Sequence, residues 1–115
     1  MPALPPPNPR LAALVAMLGE ADTRELLELY LDSIPGLLAK LGSADCGEAE
    51  RAAHSLKSSA KQMGMLHLAQ QMAAIEERLR SAGSPVTPAE LAEISREAAA
   101  AAQPLRAYAA QVGSS

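Results

Sequence analysis

The hydrophobic core of this chain has to be built almost without aromatic side chains. Hydrophobic residues make up 49% of the 115 residues, yet there is no Phe or Trp, and the only tyrosines are Tyr30 and Tyr108. The other apolar residues are mainly Leu, Ala and Met, which favour helices, whereas the β-branched and aromatic residues that favour strands are scarce. This composition predicts closely packed helices.

Apolar residues recur at helical spacing in several segments, each bounded by capping or helix-breaking residues. The predicted segments are Arg10 to Gly19, Asp22 to Leu41, Asp45 to Gly64, Met65 to Arg80, and Thr87 to Gln111. Asp22 and Glu25 have the spacing of a capping box. Pro35 is expected to kink the second helix, and Pro104 to kink the fifth or split off its last turns. Four long helices with short connections predict an all-α fold, an antiparallel up-down four-helix bundle with a short extra N-terminal helix.

The chain is predicted to form one domain with a short segment at each end. Residues 1–9 contain five of the nine prolines, which predicts a flexible Pro-rich arm. Residues 10–112 are assigned to the helical bundle domain, and residues 113–115 to a disordered tail. A domain of this size can bury a modest core, but it lacks the clefts between domains that many enzymes use.

Composition and motifs argue against several classes of function. The net charge of -3, with no dense Lys/Arg run and no set of aromatic residues for stacking, argues against nucleic acid. No apolar run approaches the ~20 residues of a membrane span, and the N-terminus does not resemble a signal peptide, so a cytoplasmic protein without membrane contact is expected. Cys46 is the only cysteine. His54 and His67 lack further ligands at metal-binding spacing, and no Gly-rich phosphate-binding loop is present.

His54 is predicted to point outward from the third helix. At about 100° per residue, Lys57, Ser58 and Lys61 lie within about 60° of His54. The opposite side of the helix is apolar, with Ala52, Leu56 and Met63. A neutral imidazole can act as a nucleophile, and a lysine one turn away can offset the charge of a phosphoryl group on the ring. A lone exposed histidine among lysines is nevertheless more often only part of a solvated surface.

The stretch HSLKSSAKQMG resembles the signature of histidine-containing phosphotransfer (HPt) domains, commonly H-x-L-K-G-[SA]-[SA]-x-x-x-G. The residues in register are His54, Leu56, Lys57, Ser59, Ala60 and Gly64. The similarity continues into the fourth helix with Leu68, Ala69, Met72, Ile75 and Glu76. The resemblance implies a four-helix bundle that carries a phosphoryl group on His54 to and from the aspartate of a receiver domain. Lys57 would then stabilise the charge of that group.

The resemblance also implies the partners of the chain. A response-regulator receiver domain would bring the Mg²⁺ and most of the catalytic groups, so this chain is expected to need no cofactor and to act as a carrier rather than an enzyme. A hybrid sensor histidine kinase is the other expected partner. The candidate receiver-binding residues are Ser58, Lys61 and Gly64. An exposed polar nucleophile needs no dimer, so a monomer is expected.

Two features leave alternatives open. Ser58 stands where the family usually has glycine, and its hydroxymethyl group would either crowd the receiver or hydrogen-bond the phosphoryl group. Glu76 falls within the apolar stripe of the fourth helix, about 40° from Met72. It would either reach solvent at the edge of the stripe or accept a hydrogen bond from one ring nitrogen of His54, leaving the other nitrogen free. The alternative function is a degenerate HPt-like adaptor that binds a receiver or kinase without being phosphorylated.

Overall fold

A computed structural model describes residues 4–114, which form five α-helices and no strand. The helices are α1 (Pro9–Leu18), α2 (Glu20–Leu41), α3 (Cys46–Met63), α4 (Leu66–Ser81) and α5 (Pro88–Ser114). Around the bundle, α3 packs between α2 and α4, and α5 packs against α2 and α4. Helix α1 packs on α2 and α3. The predicted all-α fold, a helical bundle with a short additional N-terminal helix, is confirmed.

The core is aliphatic apart from the buried ring of Tyr108, as the scarcity of aromatic residues predicts. Its largest fully buried side chains include Leu11, Leu27, Leu41, Leu56, Met63 and Met72. The stripe predicted for α4 is buried along its length at Met65, Leu68, Ala69, Met72, Ile75 and Leu79. Helix α3 buries mainly small side chains, which include Ala49, Ala52, Ala53 and Ala60. Small residues let neighbouring helices approach closely, so α3 lies near α4 and presents its polar face to solvent.

The start of α2 differs from the prediction. Gly19 has a φ of 84° and separates α1 from α2, so that α2 begins at Glu20 rather than after Asp22. Asp22 lies in the first turn of the helix, where a carboxylate interacts favourably with the helix dipole. The predicted capping box of Asp22 and Glu25 is therefore wrong. Glycine tolerates the positive φ that this sharp change of direction requires.

Both internal prolines are accommodated within continuous helices. Pro35 lies inside α2, and Pro104 lies inside α5, so the last turns of α5 are not split off. Both prolines lie on the exposed side of their helices. Residues 113 and 114 of the predicted tail continue α5, whereas residue 115 and residues 1–3 of the predicted arm lie outside the described residues. None of the helices in residues 4–114 is long and apolar enough to cross a membrane.

The ends of α3 are formed as predicted. The Asp45 carboxylate accepts hydrogen bonds from the backbone N–H groups of Gly47 at 2.9 Å and Glu48 at 3.2 Å. Gly64 ends the helix in the left-handed conformation, with a φ of 78°. A capped start and a left-handed stop define the length of α3, and therefore place His54 near its middle.

The connection between α4 and α5 depends on one carboxylate, that of Glu90. Thr87 and Glu90 form a capping box in which each backbone N–H donates to the other residue's side chain, both at 3.1 Å. Arg78 on α4 donates to both carboxylate oxygens of Glu90, at 2.7 and 3.2 Å. The hydrogen bonds from Arg78 and then from the Thr87 backbone stabilise the ionised form and lower the pKa of Glu90 to about 2.

We expect acid to weaken the fold partly through Glu90. Its pKa falls on folding from 4.5 to about 2, so its stabilisation is present at neutral pH and is lost as the pH falls between these values. Glu90→Gln should lower the free energy of unfolding at pH 7 by about 1 kcal/mol or less, because the pair is partly exposed. The variant should also lose less of its free energy of unfolding as the pH falls from 4.5 to about 2, measured by urea unfolding at a series of pH values. Glu93→Gln is the control, and identical pH slopes for wild type and Glu90→Gln would contradict the prediction.

Candidate functional site

His54 lies on the solvent face of α3. Its side chain is 62% exposed, although its neighbour Ala53 is completely buried and Leu56 is 1% exposed. The contrast follows from helical geometry, since Leu56 is about half a turn around the helix from His54 and Ala53 more than a quarter of a turn. The ring is therefore accessible from the side of the bundle.

Glu76 is the buried carboxylate beside this ring. It follows Ile75 on α4, and its side chain is only 8% exposed. Its Oε2 lies 2.8 Å from His54 Nδ1, and its Oε1 accepts a hydrogen bond from Lys57 Nζ at 2.5 Å. The structure thus brings together His54, Lys57 and Glu76, and of the two alternatives that the sequence left open for Glu76 it shows the contact with the ring.

The contacts of Glu76 determine which ring nitrogen of a neutral His54 carries the proton. The hydrogen bond from Lys57 is the main cause that lowers the pKa of Glu76 below 4.5; burial opposes it, and the bond with His54 adds to the lowering. An ionised carboxylate can only accept hydrogen bonds, so His54 Nδ1 is the donor. In a neutral imidazole with its proton on Nδ1, the lone pair is on Nε2. Nε2 is therefore the nucleophilic atom of the ring.

Arg80 adds a second cation to the cluster. Its Nη2 lies 3.5 Å from Glu76 Oε2, the same oxygen that contacts His54. Its Nε donates to Glu50 Oε1 and its Nη1 to Glu77 Oε2, each at 3.1 Å. Sequence analysis missed Arg80 and Glu50. The available signal was helical spacing, because Arg80 follows Glu76 by four residues and Glu50 precedes His54 by four.

The three candidate receiver-binding residues are placed differently. Ser58 and Lys61 are exposed on the same side of α3 as His54. Gly64 lies at the end of the helix, about 15 Å along its axis from His54. There Asn8 donates a hydrogen bond to the carbonyl of Met63 at 2.8 Å, and its side chain occupies the space next to Gly64. Ser58 and Lys61 thus share the exposed side of α3 with His54. Gly64 lies at the end of that helix, where its backbone N–H donates to the carbonyl of Lys61 at 3.2 Å.

The exposed ring of His54 borders a depression in the surface of the bundle. The depression has a volume of about 440 Å³ and is lined by Gly47, Glu50, Arg51, His54, Ser55 and Glu76. Within residues 4–114, no group of three or more His, Cys, Asp or Glu side chains is placed to hold a metal ion. An exposed ring nitrogen with a lone pair can accept a phosphoryl group, and a lysine one helical turn away, Lys57, can partly neutralise its added charge.

Comparison with known protein families matches residues 25–104 to the family described as the Hpt domain. The match covers well over half of the chain and contains most of α2, all of α3 and α4, and the greater part of α5. It includes His54, Lys57, Glu76 and Arg80, and it leaves out α1. No curated protein and no solved structure was found to match the chain.

Proposed function

Because the chain belongs to the Hpt domain family, whose members take part in histidine phosphotransfer in phosphorelays, we propose that His54 carries a phosphoryl group to and from receiver-domain aspartates. Hpt domains are carriers that work with receiver domains and kinases, rather than enzymes with catalytic sites of their own. One observation supports the assignment to His54 above all. The exposed ring donates from Nδ1 to a buried carboxylate, which leaves the lone pair on Nε2.

The proposed transfer is a displacement at phosphorus. The lone pair of His54 Nε2 attacks the phosphorus of an aspartyl phosphate on the receiver. The N–P bond forms while the P–O bond to the aspartate breaks, and the aspartate leaves as a carboxylate. Nδ1 keeps its proton, so the ring becomes positively charged, and the carboxylate of Glu76 at 2.8 Å stabilises that charge. Transfer to another receiver reverses these steps.

Lys57 is proposed to stabilise the phosphoryl group. In the structure its Nζ is bonded to Glu76, and its side chain is 22% exposed. A phosphoryl group adds a charge of about −1.5 to −2, which competes with Glu76 for the ammonium group. Lys57 follows His54 by one helical turn, so changes in its side-chain torsions are sufficient to redirect Nζ towards Nε2.

The receiver is proposed to supply the Mg²⁺ and the other groups needed for transfer, and a hybrid sensor histidine kinase is the proposed source of phosphate. Ser58, Lys61 and Gly64 are the proposed contacts on this chain. Ser58 and Lys61 are exposed on the side of α3 that carries His54, and Gly64 lies at the end of that helix. Ser58 is small enough to let the receiver's active site approach. Lys61 adds a positive charge that favours encounter with an acidic surface.

Incubation of the protein with a phosphorylated receiver tests the proposal. Mass spectrometry should detect acid-labile phosphate on the peptide that contains His54 in wild type, and none in His54→Gln. His67→Gln removes the chain's other histidine and should acquire phosphate like wild type. If wild type and His54→Gln bind several phosphorylated receivers equally well and neither acquires phosphate, the carrier function is wrong and the chain is an adaptor.

A further inference from the structure

Arg80 connects three carboxylates at the edge of the His54 site. Its side chain is 56% exposed, yet each of its three guanidinium nitrogens is close to a different carboxylate, those of Glu50, Glu76 and Glu77. Glu50 is on α3 and the other two are on α4, so Arg80 links the two helices that form the site. A guanidinium group is planar and its donors have fixed directions. The contact with one carboxylate therefore restrains the position of the others.

Charges alternate along the groove between α3 and α4. The contacts run from Lys57 to Glu76, from Glu76 to Arg80, and from Arg80 to Glu50. His54 joins the middle of this row, since its Nδ1 contacts the same Glu76 oxygen as Arg80. When Lys57 turns to a phosphoryl group, Arg80 is the cation that remains beside Glu76. The carboxylate can then keep its charge and its orientation towards Nδ1.

Glu50 is the acidic neighbour of the ring that Arg80 holds in an ion pair. Glu50 and His54 are four residues apart on one helix, so their side chains are neighbours, and both line the depression beside the ring. A Glu50 carboxylate without Arg80 is a new hydrogen-bond acceptor for the imidazole and favours a proton on Nε2. It also places an unbalanced negative charge next to an incoming phosphoryl group, which opposes transfer.

Resting on the phosphotransfer function above, we propose that Arg80 is a positioning residue for His54. It holds Glu76 Oε2 towards Nδ1 and holds Glu50 away from the ring, so that the lone pair stays on Nε2. Arg80 acts through these carboxylates and is not itself required to touch the phosphoryl group. Its effect on the ring already exists in the unphosphorylated protein, and it can be measured there without any transfer reaction.

NMR of the histidine ring nitrogens in the full chain tests this role, because protonated and unprotonated ring nitrogens have different ¹⁵N shifts. The variants are Arg80→Gln, Arg80→Lys, and Arg80→Gln combined with Glu50→Gln. Arg96→Gln removes an exposed arginine on α5 and is the matched control. His67, whose side chain is 78% exposed, provides an internal reference in every spectrum.

We expect wild type and Arg96→Gln to hold the proton of His54 mainly on Nδ1. Arg80→Gln should reduce the ratio of the Nδ1-H to the Nε2-H form by about two- to fivefold, the range that an exposed ion pair supplies. In Arg80→Lys the ratio should lie between those of Arg80→Gln and wild type. In the double variant, which lacks the Glu50 carboxylate, it should lie closer still to that of wild type. These recoveries would not follow if Arg80 only supported the fold.

An unchanged His54 ratio in Arg80→Gln would overturn the positioning role, as would a reduced ratio that neither Arg80→Lys nor the loss of Glu50 restores. The transfer assay separates this inference from the proposed function. If wild type accepts phosphate and Arg80→Gln leaves the ring unchanged, only the role of Arg80 fails. If the ring responds as expected but wild type never accepts phosphate, the proposed function fails, while the control of the ring by Arg80 stands.

Discussion

Replacing Glu76 with alanine is expected to slow phosphoryl transfer to His54 by roughly 10- to 100-fold, since misplacing a reacting group by about 1 Å can cost about 100-fold. The Glu76 carboxylate is the buried group that contacts His54 Nδ1, Lys57 and Arg80. Without it the ring can rotate and carry its proton on either nitrogen. The two cations also lose the anion that they share, so their positions beside the ring change as well.

Single-turnover transfer from a phosphorylated receiver measures this effect. Glu76→Gln should be intermediate, because an amide oxygen can still accept one hydrogen bond but carries no charge. Glu93→Ala, at an exposed glutamate of α5, should transfer like wild type. Replacing the buried Glu76 carboxylate also lowers the free energy of unfolding, because its charged partners lose their ion pairs. Rates are therefore compared at a temperature where circular dichroism shows every variant folded. Transfer at the wild-type rate by Glu76→Ala would exclude a positioning role for this carboxylate.

Replacing Gly64 with alanine is expected to lower the free energy of unfolding by about 2–3 kcal/mol, from backbone strain together with the loss of side-chain hydrogen bonds. Gly64 has a φ of 78°, which a residue with a Cβ adopts only at a cost. Its conformation lets Met65 N–H reach the carbonyl of Ala60 at 2.8 Å, closing the C-terminus of α3.

The second part of the cost involves Asn8. A Cβ on Gly64 would clash with the end of the Asn8 side chain. Asn8 would have to move away from its two partners, the backbone N–H of Leu11 at 2.9 Å and the carbonyl of Met63 at 2.8 Å. One side chain thus caps α1 and attaches it to the end of α3, and the absence of a side chain at Gly64 makes room for it.

A double-mutant cycle in urea checks the prediction for Gly64. Asn8→Ala alone should cost about 1–2 kcal/mol, as the loss of a helix cap does. Combined with Gly64→Ala, the total cost should be less than the sum, because both changes remove the same hydrogen bonds. Gly36→Ala is the matched control, since Gly36 is exposed inside α2 with nothing within 4 Å of an added Cβ, and it should leave stability unchanged or raise it. Additive costs, or a Gly64→Ala protein as stable as wild type, would contradict this account.

Helix ends were predictable where their signals are local. The Asp45 cap, the Gly64 stop and the capping box of Thr87 with Glu90 all form as expected. The Asp22 prediction is wrong because the spacing of Asp22 to Glu25 also fits a helix start, whereas α2 begins directly after the break that the sequence predicts at Gly19. A local motif shows where a helix can begin, but it does not decide between two possible starts that lie close together in the sequence.

The cap formed by Asn8 was missed for a related reason. The density of prolines in residues 1–9 indicates a flexible arm, and the composition of this segment contains no sign of a distant partner. In the structure, the side chain of Asn8 bonds a carbonyl 55 positions further along the chain. No rule based on neighbouring residues can detect a contact across that distance.

The sequence by itself determined that the chain is helical and that His54, Ser58 and Lys61 share one exposed face of α3, because side-chain direction within a helix follows from residue spacing alone. It left two alternatives for Glu76, the solvent edge or the ring. Only the tertiary structure decided that the Glu76 side chain is 8% exposed and lies 2.8 Å from Nδ1. The pairing of Arg80 with Glu50 was decided there as well. Contacts between helices depend on the rotation and axial offset of one helix against the other, and those quantities are set by how the entire core packs.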